Sequence, residues 1–199
     1  MAKERTAEVQ RQTNETSIRV RIGLDGSGKS KISTGVGFLD HMLELWSHHS
    51  RIDLEVQAEG DLRVDEHHVV EDVAIALGRA FLEASGDRKG VRRYGFFVLP
   101  MDEVLALAAV DLSGRFAFVT NYSPEREKVG DLSTEMVTHF FRSLACEARI
   151  SLHLRILEAG SNEHHRVEAI FKSSARAIRS AASLEAGFES EVPSTKGVL

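Results

Sequence analysis

Nine histidines stand in this chain of 199 residues, and six of them form adjacent pairs: His48-His49, His67-His68 and His164-His165. Two of the pairs sit in the same short motif, Glu-His-His-x-Val-Glu, as EHHVVE at 66–71 and EHHRVE at 163–168. Residues four apart share a helix face, so His67 with Glu71 and His164 with Glu168 can each offer an imidazole nitrogen and a carboxylate oxygen to one ion. The second histidine of each pair, His68 or His165, is turned by about 100° and points elsewhere. A single ion would leave half of these ligands idle. Two ions use them all, each taking one His-Glu pair, an offset histidine from another helix pair, and one lone helix histidine, His41 or His139. Imidazole and carboxylate without thiolate suit Mn2+, Fe2+, Zn2+ or Ni2+. Four protein ligands on an ion that prefers six leave positions for substrate or water, which is a catalytic arrangement. The alternative is a non-catalytic di-metal storage protein. Carboxylate-bridged di-iron bundles, however, use Glu-x-x-His on four long helices and are richer in Glu than in His.

The elements that must carry these ligands occur twice. RIDLEV at 51–56 returns as RISLHL at 149–154, and ten residues before each stands a histidine in an apolar helical pattern, FLDHMLELW or MVTHFFRSL. From His41 to His67 is 26 residues and from His139 to His164 is 25. Upstream, IRVRIGLDGSGK from Ile18 is answered by VLALAAVDLSGR from Val104, which sets Asp25, Ser27, Gly28 and Lys29 on Asp111, Ser113, Gly114 and Arg115. Ordered matches at nearly constant offset imply an internal duplication. Each copy reads as two strands joined by a tight Ser-Gly hairpin turn, a helix with one histidine, a third strand, and a long helix opening at Glu-His-His. YGFFVLPM reads as extra strand material between the copies. The expected fold is α+β: two sheet-plus-two-helix halves, each sheet mostly antiparallel and covered on one face, packed as one pseudo-symmetric unit. The repeats run over about 6–90 and 91–186 of a single 1–199 domain, with a tail at 187–199. His153, between Leu152 and Leu154, belongs on the outer face of its strand.

GLDGSGKS at 23–30 also fits G-x-x-x-x-G-K-[ST], the phosphate-cradling loop of nucleotide-binding proteins. Its flanks disagree with that reading. IRVRI alternates like a half-exposed strand, and KISTGVG is a poor start for a helix. The turn of a duplicated strand pair accounts for it better.

A chain with 42 % apolar residues can bury a core of its own. A net charge of −5 and no dense Lys/Arg cluster argue against nucleic acid or a basic membrane-surface role. The opening MAKERTAEVQRQTNET reads as neither signal nor anchor, and no run is long enough to span a membrane. Cys146 alone precludes an internal disulfide and fits a reducing cytoplasm.

These residues resemble one family, imidazoleglycerol-phosphate dehydratase of histidine biosynthesis. The resemblance is carried by R-x-T-x-E-T at 11–16, TGVGFLDHML at 34–43, EHHVVED at 66–72, RRYG at 92–95, DLSGR at 111–115, HFFRSL at 139–144, GSNEHHRVEAIFK at 160–172 and STKG at 194–197. It implies a duplicated fold of the ribosomal protein S5 domain 2-like kind, a homo-oligomer of 24 subunits built from trimers, and two Mn2+ per active site held between subunits. The implied metal ligands are His41, His67, His68, Glu71, His139, His164, His165 and Glu168. The implied reaction removes water from imidazoleglycerol phosphate to give imidazoleacetol phosphate. The C–H to be broken is not beside a carbonyl, so metal-bound imidazolate must push hydroxide off the neighbouring carbon, after which an enol relaxes to the ketone. Glu15 is the first acid-base candidate and His49 the second, with His48 beside it. Without the resemblance Glu15 would be an ordinary surface carboxylate. Arg93, Arg115, Lys172, Ser194, Thr195 and Lys196 match the family's positions for substrate, whose phosphate calls for cations and donors. The tail reads as a flexible terminus that binding could order over the site, so deletion of 193–199 is expected to weaken substrate binding and spare the metals.

Overall fold

The computed structural model describes residues 4–199; residues 1–3, the first of the stretch read as neither signal nor anchor, lie outside the described residues. The first half contains β1 (Thr6–Gln12), β2 (Thr16–Gly23), β3 (Ser30–Ser33), α1 (Gly37–Ser50), β4 (Asp53–Gly60) and α2 (His67–Ser85). The second contains β5 (Tyr94–Met101), β6 (Val104–Asp111), β7 (Ala117–Thr120), the short β8 (Lys128–Val129) and β9 (Leu132–Ser133), α3 (Glu135–Glu147), β10 (Ser151–Glu158) and α4 (Glu163–Ala182). The two main sheets have the same order, β1-β2-β4-β3 and β5-β6-β10-β7, with one parallel pair each, β3 with β4 and β7 with β10. The fold is therefore α+β, mostly antiparallel and duplicated. YGFFVLPM is not extra material. It is β5, the counterpart of β1.

The ladders correct two further expectations. The Ser-Gly turn does not close a hairpin, because β4 lies between β2 and β3 and pairs with both. The turn crosses the end of β4 instead. The register of the copies also differs from the motif alignment. Thr6 pairs with Gly23 and Tyr94 with Asp111, while Ser30 pairs with Leu54 and Phe118 with Leu152, so positions of β1–β3 correspond to those of β5–β7 at a separation of 88 residues and those of β4 to β10 at 98. At the separation of 88 Arg115 corresponds to Ser27, not Lys29. A slip of two residues keeps every side chain on its own face, so the alternating pattern could not detect it.

Alternation nevertheless fixes which face is buried. Ile18, Val20 and Ile22 of β2 and Ala106, Ala108 and Val110 of β6 face the core, and His153 is exposed as expected. Helix α2 covers β1 and β2 and packs on α3, and α4 covers β5 and β6 and packs on α1. The helices of one half thus meet those of the other over a shared core. Gly78 permits the α2–α3 crossing: a Cβ there would stand 2.6 Å from the Leu144 carbonyl oxygen, closer than real contacts allow. Among the described residues no helix is long and apolar enough to cross a membrane.

Candidate metal centre

The crossed helix pairs assemble two similar groups. His67 and Glu71 on α2 meet His139 on α3, and His164 and Glu168 on α4 meet His41 on α1. In each group the ligand atoms lie within 4.8 Å of one another. Glu71 Oε1 stands 3.0 Å from His139 Nε2, and Glu168 Oε2 stands 3.1 Å from His164 Nε2. His139 Nε2 is buried and lacks a well-aligned hydrogen bond despite the nearby carboxylate. A lone pair held in this way is suited to a cation, and two imidazoles with one carboxylate form a good donor set for a first-row divalent ion. The chain unites the His-Glu pairs with the lone histidines as expected, but across the halves. It does not bring the offset histidines in: His68 and His165 belong to neither group.

Instead, both offset histidines are gripped at Nδ1 by carboxylates. Asp61, just after β4, places both oxygens 3.1 Å from His68 Nδ1. Glu103, in the β5–β6 turn, places Oε2 2.9 Å from His165 Nδ1. The hydrogen bond to Asp61 raises the His68 pKa and that to Glu103 raises the His165 pKa, while the same bond to His165 takes Glu103 down to about 2. Glu15 lies 3.7 Å from His68 Nε2 and Asp102 lies 3.6 Å from His165 Nε2. Neither Asp61 nor Glu103 was singled out in the sequence. The register is the signal that finds Glu103, since at a separation of 88 it is the counterpart of Glu15 in the β1–β2 turn.

The motif carrying Glu15 is clasped to α2. Arg11 Nε donates to Asp72 Oδ1 at 2.7 Å, and Thr16 Oγ1 donates to Asp72 Oδ2. Asp72 is buried and ends EHHVVED, so the two motifs are parts of one support. The leading glutamates are supports too. Glu66 accepts from Ser133 N at 2.6 Å, and Glu163 accepts from Tyr122 Oη at 2.7 Å and Glu125 N at 2.9 Å. They hold the β7–α3 segment against the starts of α2 and α4. From that segment Asp131 caps α1, accepting from Gly37 and Phe38 N.

The residues expected to hold phosphate divide into two places. Arg93 pairs with Asp111 at 2.8 Å and donates to the Pro193 carbonyl at 2.8 Å, so the tail with Ser194, Thr195 and Lys196 folds back beside it. Leu199 reaches the Gly114-Arg115 turn: a Cβ on Gly114 would stand 2.4 Å from its carboxyl carbon. Lys172 instead ion-pairs with Glu168 and lies 3.6 Å from Met101 Sδ, at the far end of β5, about 26 Å of strand from Arg93. His49 lies in the electrostatic reach of Lys172. Burial pushes its pKa down, and Lys172, His48 and Arg176 add to that. Glu168 is raised by burial but more than compensated by its bonds to Lys172 and His164, so it titrates below the usual range.

The GLDGSGKS turn is an anion cradle whose anion is internal. The N–H groups of Ser27, Gly28 and Lys29 all donate to Asp53 Oδ1, at 2.9, 2.9 and 2.8 Å. A Cβ on Gly26 would stand 2.4 Å from Asp53 Cγ. The strand β3 follows, not a helix, so a nucleotide phosphate has neither donors nor a helix end to bind.

The model of the imidazoleglycerol-phosphate dehydratase family matches residues 34–178, which include all eight expected metal ligands. Dehydratases of that name from Clostridium botulinum and Salinibacter ruber are 52% and 53% identical over 195 residues, covering 98% of this chain and 98% and 96% of theirs. The chain belongs to the imidazoleglycerol-phosphate dehydratase family. As its family name states, it is a hydro-lyase. The crystal structure of the Staphylococcus aureus dehydratase matches with a TM-score of 0.82 at 41% identity, covering 90% of this chain and 99% of that one. The Pyrococcus furiosus dehydratase, solved in complex with (S)-C348, matches with a TM-score of 0.80 at 34% identity over 96% of this chain and 100% of that one.

Proposed function

We propose that this dehydratase of histidine biosynthesis converts imidazoleglycerol phosphate to imidazoleacetol phosphate with two Mn2+ per site, in the cytoplasm, as a single 1–199 domain assembled into 24 subunits built from trimers. The observation that carries the metal reading is the pair of His-Glu-His groups, His67/Glu71/His139 and His41/His164/Glu168. His68 and His165 lie outside both His-Glu-His groups of their own chain, His165 gathering with Asp102 and Glu103 instead, which supports their serving the ions of a neighbouring copy. The separation of Lys172 from Arg93 and Arg115 supports the same reading. So does the outer face of the second sheet, where Tyr94, Phe96 and Val98 are exposed at 59%, 73% and 44%.

When bound, the ions would supply the positive charge that keeps the substrate's imidazole anionic. The chain's own groups do the rest. Glu15, fixed by the Arg11–Asp72–Thr16 clasp and close to His68 Nε2, takes up the carbon-bound proton. His49, whose pKa burial and the neighbouring Lys172 push down, is the second acid-base group, and it can protonate the departing oxygen only from its imidazolium form. Arg93, Arg115, Lys172 and Lys196, with Ser194 and Thr195, hold the phosphate. The purified protein is tested with imidazoleglycerol phosphate and Mn2+ before and after chelation. Loss of turnover on chelation, restored by Mn2+, is expected; bound metal without turnover would overturn the proposal in favour of storage.

A further inference from the structure

We infer that Asp61 and Glu103 are positioning residues that fix the ring tautomer and the aim of His68 and His165. The inference rests on the metal reading above and extends it to residues that neither the motifs nor the family match single out.

An ionised carboxylate only accepts hydrogen bonds, so a ring nitrogen facing one must carry the hydrogen. Asp61 sets both oxygens 3.1 Å from His68 Nδ1, and Glu103 sets one oxygen 2.9 Å from His165 Nδ1. Nδ1 is thereby protonated in each ring, and Nε2 keeps its lone pair on the opposite side. That nitrogen has looser neighbours, Glu15 at 3.7 Å from His68 Nε2 and Asp102 at 3.6 Å from His165 Nε2. A ligating imidazole whose other nitrogen donates to a carboxylate is pre-oriented and more basic. The other oxygen of Glu103 accepts from Ser161 N and Asn162 N at 3.3 and 3.1 Å, which ties the same carboxylate to the start of α4. Asp61 and Glu103 come from unequal places, one after β4 and one from the β5–β6 turn. Two copies have therefore reached the same contact by different routes, as a functional requirement on the ring would produce.

The test titrates the full-length chain with Mn2+ alone by calorimetry and counts bound ions. Asp61→Ala, which removes no side-chain acceptor of a backbone N–H, is expected to weaken Mn2+ binding about 10- to 100-fold with thermal stability nearly unchanged. Asp61→Asn, whose amide oxygen still accepts, should recover part of the loss. Glu103→Gln should behave like Asp61→Asn, and Glu103→Ala like Asp61→Ala with added instability at the start of α4. Affinity within about threefold of wild type in Asp61→Ala overturns the inference. Nitrogen NMR of the metal-free protein provides a second readout: His68 should be an Nδ1–H tautomer in wild type and a mixture in Asp61→Ala, and an unchanged tautomer overturns it as well. Failure of the wild-type protein to bind Mn2+ would sink the metal reading instead, and the tautomer result would still judge this one.

Discussion

The Glu15 turn and the Glu103 turn occupy the same place in their two sheets, yet each carboxylate meets a different nitrogen of the corresponding histidine. Glu15 faces His68 Nε2, and Glu103 holds His165 Nδ1. In the first half the Nδ1 contact is made by Asp61, and in the second the Nε2 side is faced by Asp102. The outer faces of the sheets differ just as sharply. Arg19, Arg21 and Glu55 cover the first, whereas Tyr94, Phe96 and Val98 cover the second. Duplication preserved the ladder, because moving it by one residue would invert every buried side chain. It left outward positions free to diverge, because nothing in the same chain packs on them.

Substitution at the two turns separates these roles with the largest effect. Glu15→Gln should lower kcat by about 10²- to 10⁴-fold with the metal content unchanged, whereas Glu103→Gln should act on metal affinity first. Equal losses of kcat with full metal in both would dissolve the contrast. Next in size, Phe96→Lys on the apolar sheet face should reduce the assembly mass in sedimentation, and Arg21→Glu on the polar face should leave it intact; the reverse result would mean that copies meet on the charged face.

Smaller effects test the two strand-crossing turns. Asp53→Ala removes the acceptor of three backbone N–H groups and should cost about 1–3 kcal/mol in denaturant unfolding. Ser151→Ala, at the corresponding position, should cost less than about 0.5 kcal/mol. The pH dependence of that gap is the finest probe. Partial burial pushes the Asp53 carboxyl up, but the N–H groups of Lys29, Ser27 and Gly28 outweigh it and hold the pKa below the ordinary aspartate value. A carboxyl lowered by folding stabilises above its unfolded pKa and loses that contribution as pH falls through its folded one. The difference between wild type and Asp53→Ala should therefore be constant near neutrality and shrink below about pH 4. A gap that widened with acid would contradict the cradle.

Much of this was legible in the chain. The spacing of His67 with Glu71 and of His164 with Glu168 defined a shared helix face, and the repeated motif revealed the duplication. The alternation of IRVRI and VLALAAV located the buried faces. The turn motif misled in one respect: Ser-Gly recurs two residues out of step with the strands, and a two-residue slip is silent in a pattern of period two. For that reason Glu103 escaped notice as the partner of Glu15. Asp61 escaped because a single acidic residue after a strand has no signature of its own.

The sequence alone determined which side chains could act as ligands, which helix faces carry them and that the unit occurs twice, because period and chemistry are local properties. The tertiary structure decided what meets what. Helix α1 crosses α4 and α2 crosses α3, so each His-Glu pair finds its third ligand in the other half, while β4 separates β2 from β3 and draws the Ser27-Gly28-Lys29 turn around Asp53. Those outcomes depend on packing between distant segments, on the room left at Gly78 and Gly26 and on the register of the ladders. None of these is encoded in any short stretch of the chain.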